Sequence, residues 1–205
     1  ESSIVLDLFR IIFGLIVLII FLYDWNSLIF FYSNEGILLN NRISRINNLT
    51  FSIFDYLQNP IYIYVIYFIF IITIILFIIG YKTKYVKFLQ FILLLSFHQR
   101  NPFILNSGDA LLRIMSFYLM ISPCGKSLSL DSILNKNKDS SIPIWPIRLM
   151  QFQVMVVYFF AGISKLKSDL WLNGTALNFV LRDSTLNRFN MDWIVYIPVI
   201  IMILT

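Results

Sequence analysis

Lys165, Arg10, Asp109 and Arg113 are charged residues standing in or beside apolar runs, where an unshielded charge is costly and most often has a task. Lys165 follows the stretch Tyr158-Phe159-Phe160-Ala161-Gly162-Ile163-Ser164. A dry setting disfavours an ammonium and favours the free amine, the form that can take a proton from a substrate. Phe159 and Phe160 are expected to supply the dry wall, with Ala161 and Gly162 leaving room for an apolar ring. Lys167 lies about 200° further round a helix, so only one of the two lysines can face such a cavity. The plainer reading makes both lysines interface markers, with Trp171 in the aromatic belt.

Arg10 stands three residues after Asp7, which puts both on one helical face. It either snorkels to the membrane surface or turns inward as the partner of a buried acid or a substrate. Asp109 and Arg113 are four apart, the spacing of an ion pair on one face, and are expected to contact each other or another buried partner. His98 has no His or Cys companions, so the pattern is not that of a metal site.

These residues must be positioned by helices in a bilayer. The chain has 205 residues, 59% apolar and only 13% charged, about half the charge a soluble domain carries. Its formal net charge of +5 comes from basic residues flanking apolar runs, which argues for orientation in lipid and against nucleic acid. Cys124 is the single cysteine, which excludes an internal disulfide. The opening residues lack a basic start and a small-residue cleavage site, so the first helix is expected to stay.

A span needs about 20 apolar residues. That rule gives spans at Ile4–Tyr23, Ile61–Gly80, Tyr85–Phe97 (reaching towards Leu105), Ala110–Pro123 and Trp145–Leu166. A sixth begins near Trp193 and is still apolar at Thr205. The fold expected is an all-α, polytopic transmembrane bundle of about six spans, the last one truncated. It forms a single transmembrane domain over residues 1–205 and is part of a longer chain. Ile61–Gly80 is rich in β-branched residues, but an open sheet cannot cross hydrocarbon and the run lacks the alternation of a barrel strand.

Lysines cluster in the 81–87 and 124–144 loops, which places both loops and the amino terminus inside. The 24–60 and 167–192 loops then face outward, with the sequons Asn48-Leu49-Thr50 and Asn173-Gly174-Thr175.

Three motifs in order carry a family resemblance: Phe9-Arg10-Ile11-Ile12-Phe13-Gly14, the run from Asn106 through Phe117 to Ser129-Leu130-Asp131, and Tyr158 to Gly174. Phe31-Tyr32-Ser33-Asn34-Glu35-Gly36 adds to them. Together they resemble the vitamin K-dependent γ-carboxylase-like, or horizontally transferred transmembrane domain, family. The resemblance covers nearly the whole chain. It implies a lysine base that deprotonates reduced vitamin K or another quinone, and the matching residue is Lys165. The carboxylase also has an important histidine on its central helix, where the match puts Gly108 or Asp109. Glutamate carboxylation is therefore not carried over.

Two functions are open at this point. One is a bacterial inner-membrane enzyme with Lys165 as base and Arg10, Asp109 and Arg113 as polar groups of its cavity. It would act on a quinone-like or other apolar substrate, or modify a secreted peptide. The other is a non-catalytic membrane subunit holding a partner protein, in which these charges only pair with one another.

Overall fold

The computed structural model describes residues 3–33, 52–55, 59–134 and 142–176. Among them every regular element is helical. The sixth span near Trp193, the sequon at Asn48 and residues Asn34 to Gly36 lie outside the described residues.

Helix α1 (Ser3–Tyr23) buries Leu6, Asp7, Arg10, Phe13, Gly14, Val17 and Phe21, a stripe at three- and four-residue spacing. Its other face carries Ile4, Val5, Leu8, Ile12, Ile16 and Ile19, all exposed. A water-facing helix would have its polar residues on that outer face. Here Asp7 and Arg10 point inward and the aliphatic side chains point outward, the arrangement that lipid favours. A 3-10 turn (Asp24–Ser27) joins α1 to α2 (Leu28–Tyr32), and Ser3–Tyr32 forms one apolar stretch of 30 residues.

Helix α3 (Pro60–Ile79) starts where the Asn59 side chain accepts from the Ile61 amide at 3.0 Å, with Pro60 in the first turn. It ends at Gly80, whose φ of 78° is left-handed and whose amide donates to Leu76 O at 2.9 Å. The helix holds despite its β-branched residues, because inside a bilayer the backbone must satisfy its own hydrogen bonds. Its buried face, Ile63, Tyr67, Phe70, Ile74 and Phe77, packs on α1. Gly14 permits a close approach there: a Cβ on it would stand 2.5 Å from Ile78 Cγ1.

Helix α4 (Thr83–Arg100) follows after a tight turn, packs on α3 and is joined in turn by α5 (Ser107–Ile121). Short connections make these successive neighbours antiparallel. Phe97 on α4 is a hub, with ring centroids of Phe54, Tyr32 and Phe21 at 4.8, 5.1 and 5.2 Å, all edge-on. Each such pair adds about 0.5–1.5 kcal/mol beyond area burial. Beyond α5 come the short α6 (Leu130–Leu134), then α7 (Trp145–Leu166) and α8 (Asp169–Leu172).

Three stretches are long and apolar enough to cross a membrane: Ser3–Tyr32, Pro60–Ile79 and Trp145–Leu166. The helices at the expected spans Tyr85–Phe97 and Ala110–Pro123 do not meet that length and composition on their own. α4 has 18 residues and carries Lys84, Lys87 and Arg100, while α5 has only 15 residues. The described residues therefore give three candidate spans where the sequence suggested about six. Two compact units divide the chain, residues 1–150 and 151–205, with the boundary inside α7.

Candidate functional site

Three polar groupings stand out, two in the first unit and one in the second. The first is built on α1. Asp7 and Arg10 have no exposed side-chain surface, and Arg10 Nε lies 3.8 Å from Asp7 Oδ1. Arg10 is thus an inward-facing residue and does not snorkel. Its terminal nitrogens donate to the carbonyls of Phe77, Ile78 and Leu128. The Asp7 carboxylate accepts from the amides of Gly125, Ser127 (2.7 Å) and Leu128 (2.9 Å). An arginine here answers the orphan carbonyls at the end of α3, and the aspartate answers the amides of a loop that has no ladder of its own.

Asp131 extends this grouping. Its carboxylate accepts from the Lys82 amide at 2.8 Å, the Thr83 amide at 2.7 Å and the Thr83 hydroxyl, closing the start of α4. The Asp131 amide donates to Gly80 O at 3.1 Å. Burial works to raise the Asp131 carboxyl, but the hydrogen bonds from Thr83 and Lys82 and the charge of Arg10 hold it below the usual carboxylate value. The 81–87 and 124–144 loops, paired on lysine content, are thereby in direct contact. Gly80 is required twice at this junction, since a side chain would strain its left-handed backbone and a Cβ would stand 2.5 Å from Ser129 Cβ.

The second grouping lies where α4 ends and α5 begins. His98 is 5% exposed, stacks on Phe21 with centroids 6.5 Å apart, and leaves its Nδ1 without a hydrogen-bond partner. Asp109 closes a capping box: its carboxylate accepts from the Asn106 amide at 2.8 Å and its amide donates to Asn106 Oδ1 at 3.1 Å. Arg113 is half-buried one turn along. The expected Asp109–Arg113 ion pair is not formed within 4.0 Å; the ion pair among the described residues joins Asp7 and Arg10. Both Asp109 and Arg113 nevertheless lie within electrostatic range of His98.

Lys165 belongs to the third grouping. After α7 the chain turns through Ser168, whose amide donates to Lys165 O at 3.1 Å, into α8. That turn returns Trp171 over the lysine, with Nζ 4.0 Å from the ring centroid. Contacts of this kind contribute about 0.5–1 kcal/mol at exposed positions. Lys165 is itself exposed. The rings of Phe159 and Phe160, expected to wall it off from water, lie edge-on to each other and are 62% and 61% exposed, and a Cβ on Gly162 would meet nothing within 4 Å.

The first unit thus buries an arginine near the start of α1, and the second ends an apolar helix in a lysine-leucine pair beside a tryptophan. The HTTM domain family model matches residues 2–204. The chain belongs to the HTTM domain family. No solved structure matches it.

Within the first unit of this HTTM domain, Arg10 and the Asp109–Arg113 segment lie at different places. Arg10 is at the α3–α4 turn, Asp109 and Arg113 are at the start of α5, and Lys165 is in the second unit. Charge in apolar surroundings did not single out Thr83 and Gly80. Their signal was the break after Ile79, where a glycine and then a threonine precede a new apolar run.

Proposed function

We propose that this protein is an integral, multi-pass membrane protein in which Lys165 is a base acting on an apolar substrate, either a quinone-like ring or a segment of a secreted peptide. The observation that carries this reading is the Lys165–Trp171 contact at 4.0 Å. The ammonium rests on an aromatic face, and no carboxylate lies within ion-pair distance of it among the described residues. The contact favours the ammonium by only about 0.5–1 kcal/mol at an exposed position, so the free amine acts once a substrate has drawn Lys165 off the ring.

Reduced vitamin K or another quinol, implied by the resemblance to the carboxylase, fits these residues in type. Trp171 offers its face to a ring and Lys165 Nζ offers an amine to a hydroxyl. When bound, such a quinol supplies an acidic hydroxyl. Lys165 Nζ, as the free amine, would accept its proton while Trp171 holds the ring in place. With Phe159 and Phe160 turned outward, lipid would exclude water on this flank. Glutamate carboxylation is left out, since Gly108 or Asp109 stands where the carboxylase has histidine. The lysines of the 81–87 and 124–144 loops support an inside amino terminus, and the bacterial inner membrane follows from the family resemblance alone.

The test uses the full chain in phosphatidylcholine nanodiscs supplied with a reduced naphthoquinone and dissolved oxygen, following oxygen uptake above that of empty nanodiscs. Oxygen oxidises the deprotonated quinol to the quinone faster than the protonated one. Uptake should be lost in Lys165→Ala and kept in Lys167→Ala. Uptake that survives Lys165→Ala, or is absent from the wild type, removes the proposal.

One observation favours a second reading. Only 6% of the apolar window of Trp145–Leu166 is buried, against 39% for each of the other two candidate spans. A non-catalytic subunit whose α7 is covered by a partner protein would have such a helix. In that case a partner should co-purify equally with wild type and Lys165→Ala.

A further inference from the structure

The first turns of α4 present a surface that none of the foregoing uses. An apolar groove of about 600 Å³ is lined by Tyr85, Val86, Phe88, Leu89 and Met120, with Lys84 and Lys87 also on its wall. Tyr85 and Phe88 are 70% and 57% exposed. Lys82 and Lys126 stand exposed on the adjoining turn and loop.

Among the described residues those lysines form no ion pair. Asp131, the carboxylate at this turn, is occupied by the Lys82 and Thr83 amides and the Thr83 hydroxyl. It also fills the start of α4, so the helix terminus itself offers no anion site. Lys87 Nζ donates to Ser122 O at 2.5 Å, which fixes its position and leaves its charge unneutralised. Lys82 lies over the Tyr81 ring, 5.6 Å from the centroid. None of the four lysines forms an ion pair among the described residues.

We infer that this surface binds one anionic phospholipid. The lysines take its phosphate-bearing headgroup, and an acyl chain runs in the groove past Tyr85, Phe88, Leu89 and Met120. Charge complementarity selects the occupant. A zwitterionic lipid would leave the positive charge uncompensated, and a soluble anion would leave the groove empty. Exposed tyrosines beside lysines at a helix end also match the headgroup level of a bilayer. Each lysine near an anionic surface strengthens binding about fivefold, and the effect is screened by salt.

The experiment takes the full chain through membranes of equal phosphatidylglycerol and phosphatidylcholine into mild detergent, then counts retained lipid by native mass spectrometry. Wild type should retain phosphatidylglycerol in preference. Lys84→Gln, at an exposed side chain, should lower that retention about fivefold, and Lys84→Arg should restore it. Lys167→Gln, in the other unit, should leave it unchanged. Equal retention of the two lipids, undiminished retention in Lys84→Gln, or an equal loss in Lys167→Gln would each overturn the inference.

Discussion

Asp7 and Arg10 sit one turn apart on α1, fully buried and 3.8 Å from each other, yet each directs its hydrogen bonds elsewhere. Arg10 holds the carbonyl end of α3, and Asp7 holds the amides of the loop after α5. Their mutual attraction neutralises two charges, while their hydrogen bonds join three parts of the chain far apart in sequence. The pair therefore locks this end of the first unit, and function elsewhere depends on it only through the fold.

Breaking that pair from one side should be severe. Arg10→Leu leaves a buried carboxylate uncompensated and is expected to cost about 3–5 kcal/mol. Adding Asp7→Asn should recover part of the loss by removing the charge. Thermal unfolding in detergent measures both. A single variant as stable as wild type would contradict the buried pairing.

Asp131 gives a pH signature. Its carboxyl is held below its ordinary value, so the folded state gains stability from it above the unfolded value of about 3.9. That contribution is lost as pH falls through the lower folded value. Asp131→Asn should therefore be less stable than wild type at pH 7, with the difference shrinking towards pH 3. Melting temperatures across that range decide it, and a constant difference would show that the hydrogen-bonded carboxylate is not its source.

Asp109 is the acidic partner of Asn106 in the capping box, and its removal should read as loss of that box. Asp109→Ala is expected to cost about 1 kcal/mol, the worth of one hydrogen bond, through the start of α5. Because no ion pair joins it to Arg113, the double variant with Arg113→Leu should show a coupling below about 0.5 kcal/mol. A larger coupling in the double-mutant cycle would mean that the two side chains interact after all.

Sequence alone determined that the chain is helical and belongs in lipid. Hydropathy and the near absence of charge over about 20 residues leave few alternatives, so Pro60–Ile79 and Trp145–Leu166 were legible almost to their ends. The inward placement of Asp7 and Arg10 was only half legible. Three-residue spacing puts them on one face, but nothing local says whether that face meets a neighbour or the membrane surface. Tertiary structure decided it by bringing the carbonyls of Phe77 and Ile78 and the amides of residues 125–128 to that face. Likewise, four-residue spacing suggested an Asp109–Arg113 pair, and the unsatisfied amide of Asn106 was a nearer partner for the carboxylate. Lys165 was found by its motif, whereas its contact with Trp171 required the turn at Ser168. Spacing along a helix fixes which side chains share a face. What they touch depends on which backbone groups, left unpaired at helix ends and loops, are folded against them.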